Sequence, residues 1–540
     1  MNRGEKDKDM EHSGISSAES LDSGQSHHGN AAAHIDHVSF WYGSAPTRHS
    51  TYYTTAADDS TADVKRTDRA TLNDISLDIR PGTITLLCGA SGSGKTSALQ
   101  LLNGLVPHFH QGTITGHVRV ADLDLSTADL SACGEVSATV FQNPKTQFFT
   151  SAVRSELAFR MENHAVPRSQ IVSNVARAAR DGDIEELMGR HLNELSGGEL
   201  QKVACAQAIG ADTPLLLFDE PTSNLSVEAI EEFAGMLARL KRQGRTVVIA
   251  EHRLYFLKGL VDQAVLLDSG RISKIMDGDE FFAQSDEARR RRGLRSLEEP
   301  MVATAPVTEQ GGNGLTLDNL RFAYRKKAVL DISHVHFPEG SVSALVGANG
   351  AGKSTLARLI CGLLKERGGS GISLDGTTVS HRDRTRMSYI VMQDVHRQLF
   401  SESLRKEVTL GQSSAEREAV DVPSLLKEFD LEAYADRHPL SLSGGQKQRL
   451  VIASAIACDK RVYVFDEPTS GVDYRHLIAI AKRLRSLARS GAIVIVITHD
   501  TELLRACADR IVTLHALSES EGGSHIQVES VVRQEEAEIR

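Results

Sequence analysis

One set of short motifs occurs twice along the chain, in the same order and at matched spacing. This duplication constrains the fold more than any other feature. Gly89–Thr96 reads GASGSGKT and Gly347–Ser354 reads GANGAGKS, and both match G-x-x-x-x-G-K-[ST]. Leu195–Glu199 reads LSGGE and Leu442–Gln446 reads LSGGQ; Leu217–Thr222 (LFDEPT) returns as Val464–Thr469 (VFDEPT). Ser196 to Asp219 spans 23 positions, as does Ser443 to Asp466. Glu220 to His252 and Glu467 to His499 each span 32, and Gln142 to Glu156 and Gln393 to Glu407 each span 14. At average residue usage, one such Gly-rich match arises by chance roughly a few per cent of the time in a chain this long. Two copies with the same ordered followers do not, so the chain reads as two halves built on one plan.

The halves differ where loops absorb change. Tyr42 to Gly89 is 47 positions and Tyr324 to Gly347 is 23, so the first half carries about 24 extra residues. They fall at 44–69, rich in Thr, Ser, Ala and Asp, and are expected to form a mobile surface loop. The polar segment 1–33 is expected to be disordered, followed by a first domain over 34–283. Residues 284–314 hold the run Arg289–Arg292 and then Pro and Gly, the composition of a flexible linker. A second domain over 315–517 precedes a polar, acidic tail, 518–540, expected to be poorly ordered. Thr83–Cys88 and Ser341–Val346 are short apolar runs, each feeding a Gly-rich loop and then a helical pattern (Ser97–Gly104, Thr355–Gly362). Pro214–Phe218, Thr246–Ala250, Arg461–Phe465 and Ala492–Ile497 read as further buried parallel strands. Strands alternating with helices predict an α/β fold in each half.

Composition removes other classes. Hydrophobic residues make up 40% of the 540 and charged residues 24%, ordinary globular values. The longest apolar run, Ala492–Ile497, falls far short of the ~20 residues of a membrane span. Met1–Asn30 lacks the apolar core of a secretory signal. A net charge of −10 argues against a broad nucleic-acid surface, so no nucleic-acid partner is expected. Six scattered cysteines with no C-x-x-C pair disfavour a disulfide framework or a zinc site and fit a reducing cytosol.

The repeated residues carry a coherent chemistry. Gly89, Gly92 and Gly94, with Ala90, Ser91 and Ser93 between, let the backbone curl so that its N–H groups face an anion; Gly347, Gly350 and Gly352, with Ala348, Asn349 and Ala351, do the same. The following helix adds its positive N-terminal dipole. Lys95 and Lys353 would reach β- and γ-phosphates, and Thr96 and Ser354 would offer Mg²⁺ a hydroxyl. Asp219 and Asp466, at strand ends, can hold Mg²⁺ through water, and Glu220 and Glu467 can polarise the attacking water as general bases. His252 and His499 can donate to a γ-phosphate; Gln142 and Gln393 can touch Mg²⁺ or the attacking water. A Gly-rich turn beside a solvated lysine, an acidic helix cap or a structural histidine would each explain a single occurrence. The paired spacing favours the chemical reading.

Together these motifs resemble the ATP-binding cassette (ABC) ATPases, over roughly His34–Lys274 and Gly314–Leu517. The quoted segments match that family's Walker A loops, Q-loop glutamines, LSGG signatures, Walker B strands and switch histidines. Tyr42 (FWYG) and Tyr324 (FAYR) match the position that stacks on adenine. The resemblance implies two P-loop NTPase domains of the ABC type in tandem, with ATP and Mg²⁺ as cofactors. It also implies head-to-tail closure within the chain. Ser196, Gly197 and Gly198 would face ATP held by Lys353, and Ser443, Gly444 and Gly445 would face ATP held by Lys95. Two departures fall on the Lys353 site: Ser226 stands where the second half has Asp473, and the first signature ends in Glu199 rather than Gln. Slower hydrolysis is expected there.

Three users of such a motor compete. DNA-repair and chromosome ATPases usually carry zinc cysteines or long coiled-coil insertions, absent here. A twin-cassette translation factor acting on the ribosome would have a long charged helical linker and PTNHLD, where this chain has PTSNLS and PTSGVD. The stretch after the first Q-loop, QNPKTQFF (Gln142–Phe149) with SELAF (Ser155–Phe159), resembles the fused ATPase of energy-coupling factor importers, which take up vitamins or metal ions. QDVHRQLF (Gln393–Phe400) fits more loosely, and AEHRL (Ala250–Leu254) is similar to that group as well. This resemblance implies an integral membrane transporter subunit and a separate substrate-binding membrane subunit as partners, a peripheral place on the cytoplasmic membrane face, and Phe148 and Phe149 as coupling contacts.

Overall fold

The computed structural model describes residues 31–43, 70–223, 225–306, 312–325, 327–366, 371–516 and 526–532. The expectations for 1–30, the insertion 44–69, and 517–525 and 533–540 of the tail fall outside these residues.

The first half runs β1 (Ala33–Tyr42), β2 (Leu72–Ile79), β3 (Ile84–Cys88), α1 (Lys95–Leu102), β4 (Gly112–Val120), β5 (Leu123–Asp124), β6 (Ser137–Val140), α2 (Val153–Asn163), α3 (Arg168–Asp181), α4 (Gly197–Gly210), β7 (Leu215–Asp219), α5 (Val227–Arg242), β8 (Thr246–Ala250), β9 (Gln263–Asp268) and β10 (Arg271–Asp277). An antiparallel sheet, β2-β1-β4-β5, faces the core on one side, so β1 buries Ile35, Val38 and Phe40 between more exposed residues. The second sheet has the order β10-β9-β3-β8-β7-β6, parallel except for β10. Every residue of β3 and β8 is buried, which is why those strands read as unbroken apolar runs. Helices α2, α3 and α4 form a lobe around Val153, Leu157, Ala178 and Leu200 that carries the first LSGG turn.

A segment with α6 (Asp286–Arg291) and β11 (Thr304–Pro306) leads to the second half. There follow β12 (Gly314–Tyr324), β13 (Lys327–Pro338), β14 (Val342–Val346), α7 (Lys353–Ile360), β15 (Ile372–Leu374), β16 (Thr377–Thr378), β17 (Ser388–Val391), α8 (Gly444–Ile456), β18 (Val462–Asp466), α9 (Tyr474–Arg489), β19 (Ile493–Ile497), α10 (Thr501–Cys507), β20 (Arg510–Leu514) and β21 (Ile526–Val531). The order β21-β20-β14-β19-β18-β17 copies β10-β9-β3-β8-β7-β6 strand for strand. The expected tandem α/β architecture is the observed one. In both halves the Gly-rich loop leaves the C-terminal end of a central strand, between sheet and helix, where open α/β sheets bind ligands.

Two expectations are corrected. The segment after 284 is not a free linker: Leu294 and Leu297, 3% and 4% exposed, join the core of the first half. Arg295 is buried between Asp500 and Glu502 of the second half, and Arg289 is buried with its guanidinium 5.2 Å from the Tyr474 ring centroid. Two leucines three residues apart supply apolar area, and paired carboxylates make the buried arginine tolerable. The tail is also partly ordered. Ile526–Val531 forms β21, antiparallel to β20, with Ile526 and Val528 against the second core and β11 on its far edge. The repeat itself carried that signal, since β10 is its counterpart. Among the described residues no helix is long and apolar enough to cross a membrane.

Leu294→Ala should therefore cost about 2–5 kcal/mol, as for buried leucines elsewhere. Denaturant unfolding monitored on the first half measures this; a loss below about 0.5 kcal/mol, the scale of surface substitutions, would contradict the packing.

Candidate active site

Both Gly-rich loops adopt the same backbone. Gly89, Gly92 and Gly94 have φ of 147°, 79° and 103°; Gly347, Gly350 and Gly352 have 146°, 86° and 101°. A Cβ on Gly89 would lie 2.2 Å from the Leu267 carbonyl oxygen, and one on Gly347 would lie 2.1 Å from that of Leu514, so only glycine fits either place. Lys95 Nζ donates to the carbonyls of Gly89 and Ala90, both at 3.1 Å, and Lys353 Nζ donates to those of Gly347 and Ala348. Each lysine thus lies folded over its own loop. Ser91 and Ser93 bury hydroxyls that find no protein partner. Such orphaned donors in a cradle of N–H groups suit a polyphosphate. Ala348, Asn349 and Ala351 complete the second loop, and Asn349, Lys353, Ser354, Gln393, Glu467 and His499 line one open cleft of about 250 Å³.

The carboxylates meet these loops as the spacing predicts. Thr96 Oγ1 donates to Asp219 Oδ1 and Ser354 Oγ to Asp466 Oδ2, both at 3.1 Å. A hydroxyl and a carboxylate side by side form an oxygen donor set that fits Mg²⁺. Burial raises the pKa of both aspartates, a charge deficit that a cation would relieve. Glu220 and Glu467 follow at φ of 46° and 50°, left-handed for a non-glycine residue. Their N–H groups are tied to the carbonyls of Ala250 and Ile497 at 2.9 and 2.8 Å. Burial, reinforced by neighbouring Asp219, pushes the Glu220 carboxyl up; burial takes Glu467 up to about 7. Gln142 Nε2 donates to Glu220 Oε2 at 2.7 Å, and His252 Nε2 lies 3.5 Å from Glu220 Oε1. In the second half the His499 backbone N–H and Thr498 Oγ1 donate to Glu467 at 3.1 and 2.9 Å. Burial and then the lysine charge hold both histidines below their usual pKa, His499 at about 4. Tyr42 and Tyr324 are 50% and 43% exposed, each braced edge-on by a phenylalanine two residues earlier.

The halves contact one another through these same loops. The Ser91 N–H donates to Asp473 Oδ2 at 2.7 Å, and Asp473 also accepts from the His476 N–H and ring. His476 and these N–H groups outweigh burial and keep the Asp473 carboxyl well below its usual range. Gly471 is pressed against Gln142 and Glu220: a Cβ there would lie 2.6 and 2.7 Å from their side-chain atoms. A Cβ on Gly444, in the second signature, would lie 3.4 Å from Gln142 Oε1. The first site is thereby lined by both halves. At the second site, Glu228 of the first half brings charge to bear on Lys353 and His499, and Arg253 on His499; Arg253 lies in the AEHRL run, while Glu228 belongs to no quoted motif. Ser226, the counterpart of Asp473, accepts from the Ala229 N–H and caps α5. Glu199 closes the same capping box on Ser196 that Gln446 closes on Ser443, with Arg190 at 2.8 Å balancing its charge. The Glu199 departure therefore leaves the signature turn intact, and of the two departures only Ser226 lacks the contact that its counterpart makes with the other half. Gly197, Gly198 and Gly445 sit in the first turns of α4 and α8.

The matched 14-residue spacing also has a physical cause. Glu156, fully buried, accepts from the Phe149 N–H at 3.1 Å, and Glu407, 4% exposed, accepts from the Phe400 N–H at 2.9 Å. The loop after each glutamine is thus pinned from inside while its aromatic tip points outward. Phe149 and Phe400 are 74% and 75% exposed. Phe148, paired with Phe149 in the sequence reading, is instead packed against two core clusters.

The ABC transporter family model matches residues 72–223 and 330–470. A Treponema denticola protein named as a candidate ABC transporter ATP-binding protein is 39% identical over 82% of this chain and 91% of its own length. A Bacillus subtilis protein named as a candidate HMP/thiamine import ATP-binding protein is 30% identical over 85% of this chain and 90% of its own. The solved complex of an archaeal ribosome recycling factor with a ribosomal stalk protein superposes with a TM-score of 0.57 over 86% of this chain and 88% of that one; at 21% identity this likeness is one of fold. Duplicated loops, matched carboxylates and relatives aligned over most of their length make the chain a member of the ABC transporter family, an ATP-binding and ATP-hydrolysing protein with two cassettes in tandem.

Proposed function

We propose that the chain is the motor of a membrane importer, closing its cassettes head-to-tail on two Mg·ATP and driving a separate integral membrane subunit. Thr96, Asp219 and Gln142 would hold one Mg²⁺, and Ser354, Asp466 and Gln393 the other; the ion would neutralise phosphate charge and orient the γ-phosphate. Glu220 and Glu467 act as general bases, and the neutral His252 and His499 donate toward the phosphate that leaves. Ser196 to Gly198 face the nucleotide on Lys353, and Ser443 to Gly445 that on Lys95. Tyr42 and Tyr324 stack on adenine. The contact of Asp473 with Ser91, for which Ser226 provides no match, supports faster turnover at the Lys95 site.

The observation that carries the transport reading is the pair of outward phenylalanines, Phe149 and Phe400. Each stands seven residues after its Q-loop glutamine and each is pinned by a buried glutamate. Exposed aromatics on loops pinned by buried glutamates, the first of which touches Glu220 through Gln142, suit a docking contact able to sense ATP. The membrane partner would seat on these two tips, with the chain peripheral on the cytoplasmic face and a further membrane subunit supplying substrate recognition. A vitamin or metal ion is the cargo class, in keeping with the thiamine-import name of the Bacillus subtilis relative. The alternative of a translation factor is favoured only by likeness of fold.

Phe149→Asp with Phe400→Asp should reduce transport by about ten-fold or more in reconstituted vesicles while basal ATPase stays within about two-fold, on the scale of hot-spot losses. Equal collapse of both would assign the tips to the core. Glu220→Gln should lower ATPase more than Glu467→Gln; indistinguishable losses would remove the asymmetry between sites.

A further inference from the structure

The segment joining the cassettes sends one side chain to the second site from behind. Arg295 is 4% exposed; its Nε donates to Glu502 Oε2 at 2.6 Å and its Nη2 to Asp500 Oδ1 at 2.5 Å. Asp500 directly follows His499. Its other carboxylate oxygen accepts from Thr469 Oγ1 at 2.6 Å, two residues after Glu467. Its N–H donates to Thr498 Oγ1 at 3.0 Å, and that hydroxyl donates to Glu467. One route from the guanidinium, through the Asp500 backbone and Thr498, thus ends on the Glu467 carboxylate, and a second, through Thr469, ends on the chain two residues after Glu467.

The first cassette braces its DEPT threonine and switch histidine with a carboxylate of its own, although the Arg295 charge also acts on His252. Glu251, just before His252, accepts from the Thr222 hydroxyl and N–H and from the His252 N–H at 2.6 Å. Arg253, not an aspartate, follows His252. The second cassette has Thr498 where the first has Glu251, so its brace must come from Asp500, whose buried charge needs a partner. That partner hangs from the other cassette: Leu294 and Leu297, on either side of Arg295, are set in the first core. The same segment reaches the start of α9, where the Tyr474 N–H donates to the Gly293 carbonyl at 3.2 Å, next to the Asp473 that holds Ser91.

We propose that Arg295 is a positioning residue for hydrolysis at the Lys353 site, fixing Glu467 and His499 through Asp500, Thr469 and Thr498. The first cassette, through Leu294 and Leu297, thereby governs the alignment of a site whose Walker B residues belong to the second. This rests on the assignment of Glu467 and His499 to hydrolysis made above.

The test uses the full chain and reads the sites separately. Radiolabelled 8-azido-ATP is trapped with vanadate and photolysed, the chain is cleaved, and label on each cassette is counted. Arg295→Gln should lower the label on the second cassette by about ten-fold or more and leave the first within about two-fold, as expected when a reacting group is displaced by an ångström or less. Arg295→Lys, which keeps the charge without the fork, should recover part of the loss. Unchanged labelling of the second cassette overturns the proposal, and so does a parallel fall on both. If Arg295→Gln does not fold, Arg295→Lys is read in the same way; failure of both to fold marks the pair as structural and also overturns it. A parent chain that traps nothing on the second cassette breaks the assignment of Glu467 and takes the proposal with it, an outcome distinct from any effect of Arg295.

Discussion

A strand-loop-helix unit surrounds a polyphosphate with donors on one side only. The charge left on the other side must be met by another surface, and this requirement organises the whole chain. Two complete halves that meet at their phosphate loops satisfy it. Asp473 on the Ser91 N–H and Gly471 against Gln142 and Glu220 are two of the contacts made there. Burial around these points keeps Lys95 below and Glu220 above their ordinary pKa, so the site holds charge that is poorly solvated until a counter-charge arrives.

The duplication is nearly exact in the sheets and inexact in the braces. β14, β18 and β19 repeat β3, β7 and β8 in order, yet the threonine of each DEPT motif finds a different carboxylate, Glu251 in one half and Asp500 in the other. Backbone geometry is set by apolar burial that tolerates few alternatives. A hydrogen bond to a hydroxyl can be supplied from several directions, and the two halves have taken different ones.

Much of this was legible in the residues, because the chemistry of phosphate loops demands particular residue types at particular spacings. Gly89 and Gly347 could be placed beforehand, since no other residue fits a φ near +147° against a facing carbonyl. The strands were legible because burial on both faces writes an apolar run. What stayed hidden depends on partners distant in sequence. Arg295 lies in a stretch whose composition reads as linker, and only Asp500 and Glu502, some 200 positions on, make it a buried cation. The left-handed backbone of Glu220 and Glu467 comes from ties to neighbouring strands and has no signature in residue type. Phe148 and Phe149 are identical letters with different burial, one half-buried against the core and one exposed, separated by the alternation of a loop pinned from inside by Glu156.

The pairing of β11 with β21 carries a mechanical consequence. The strand that enters the second cassette and the strand that leaves its sheet are zipped together at one edge, Thr304 to Val531 and Pro306 to Glu529. The tether and the tail therefore form a common hem, and a pull on one is borne by both. Because Leu294 and Leu297 anchor the near end of that tether, the two cassettes stay joined by a short span fixed at both ends, and their encounter does not weaken on dilution.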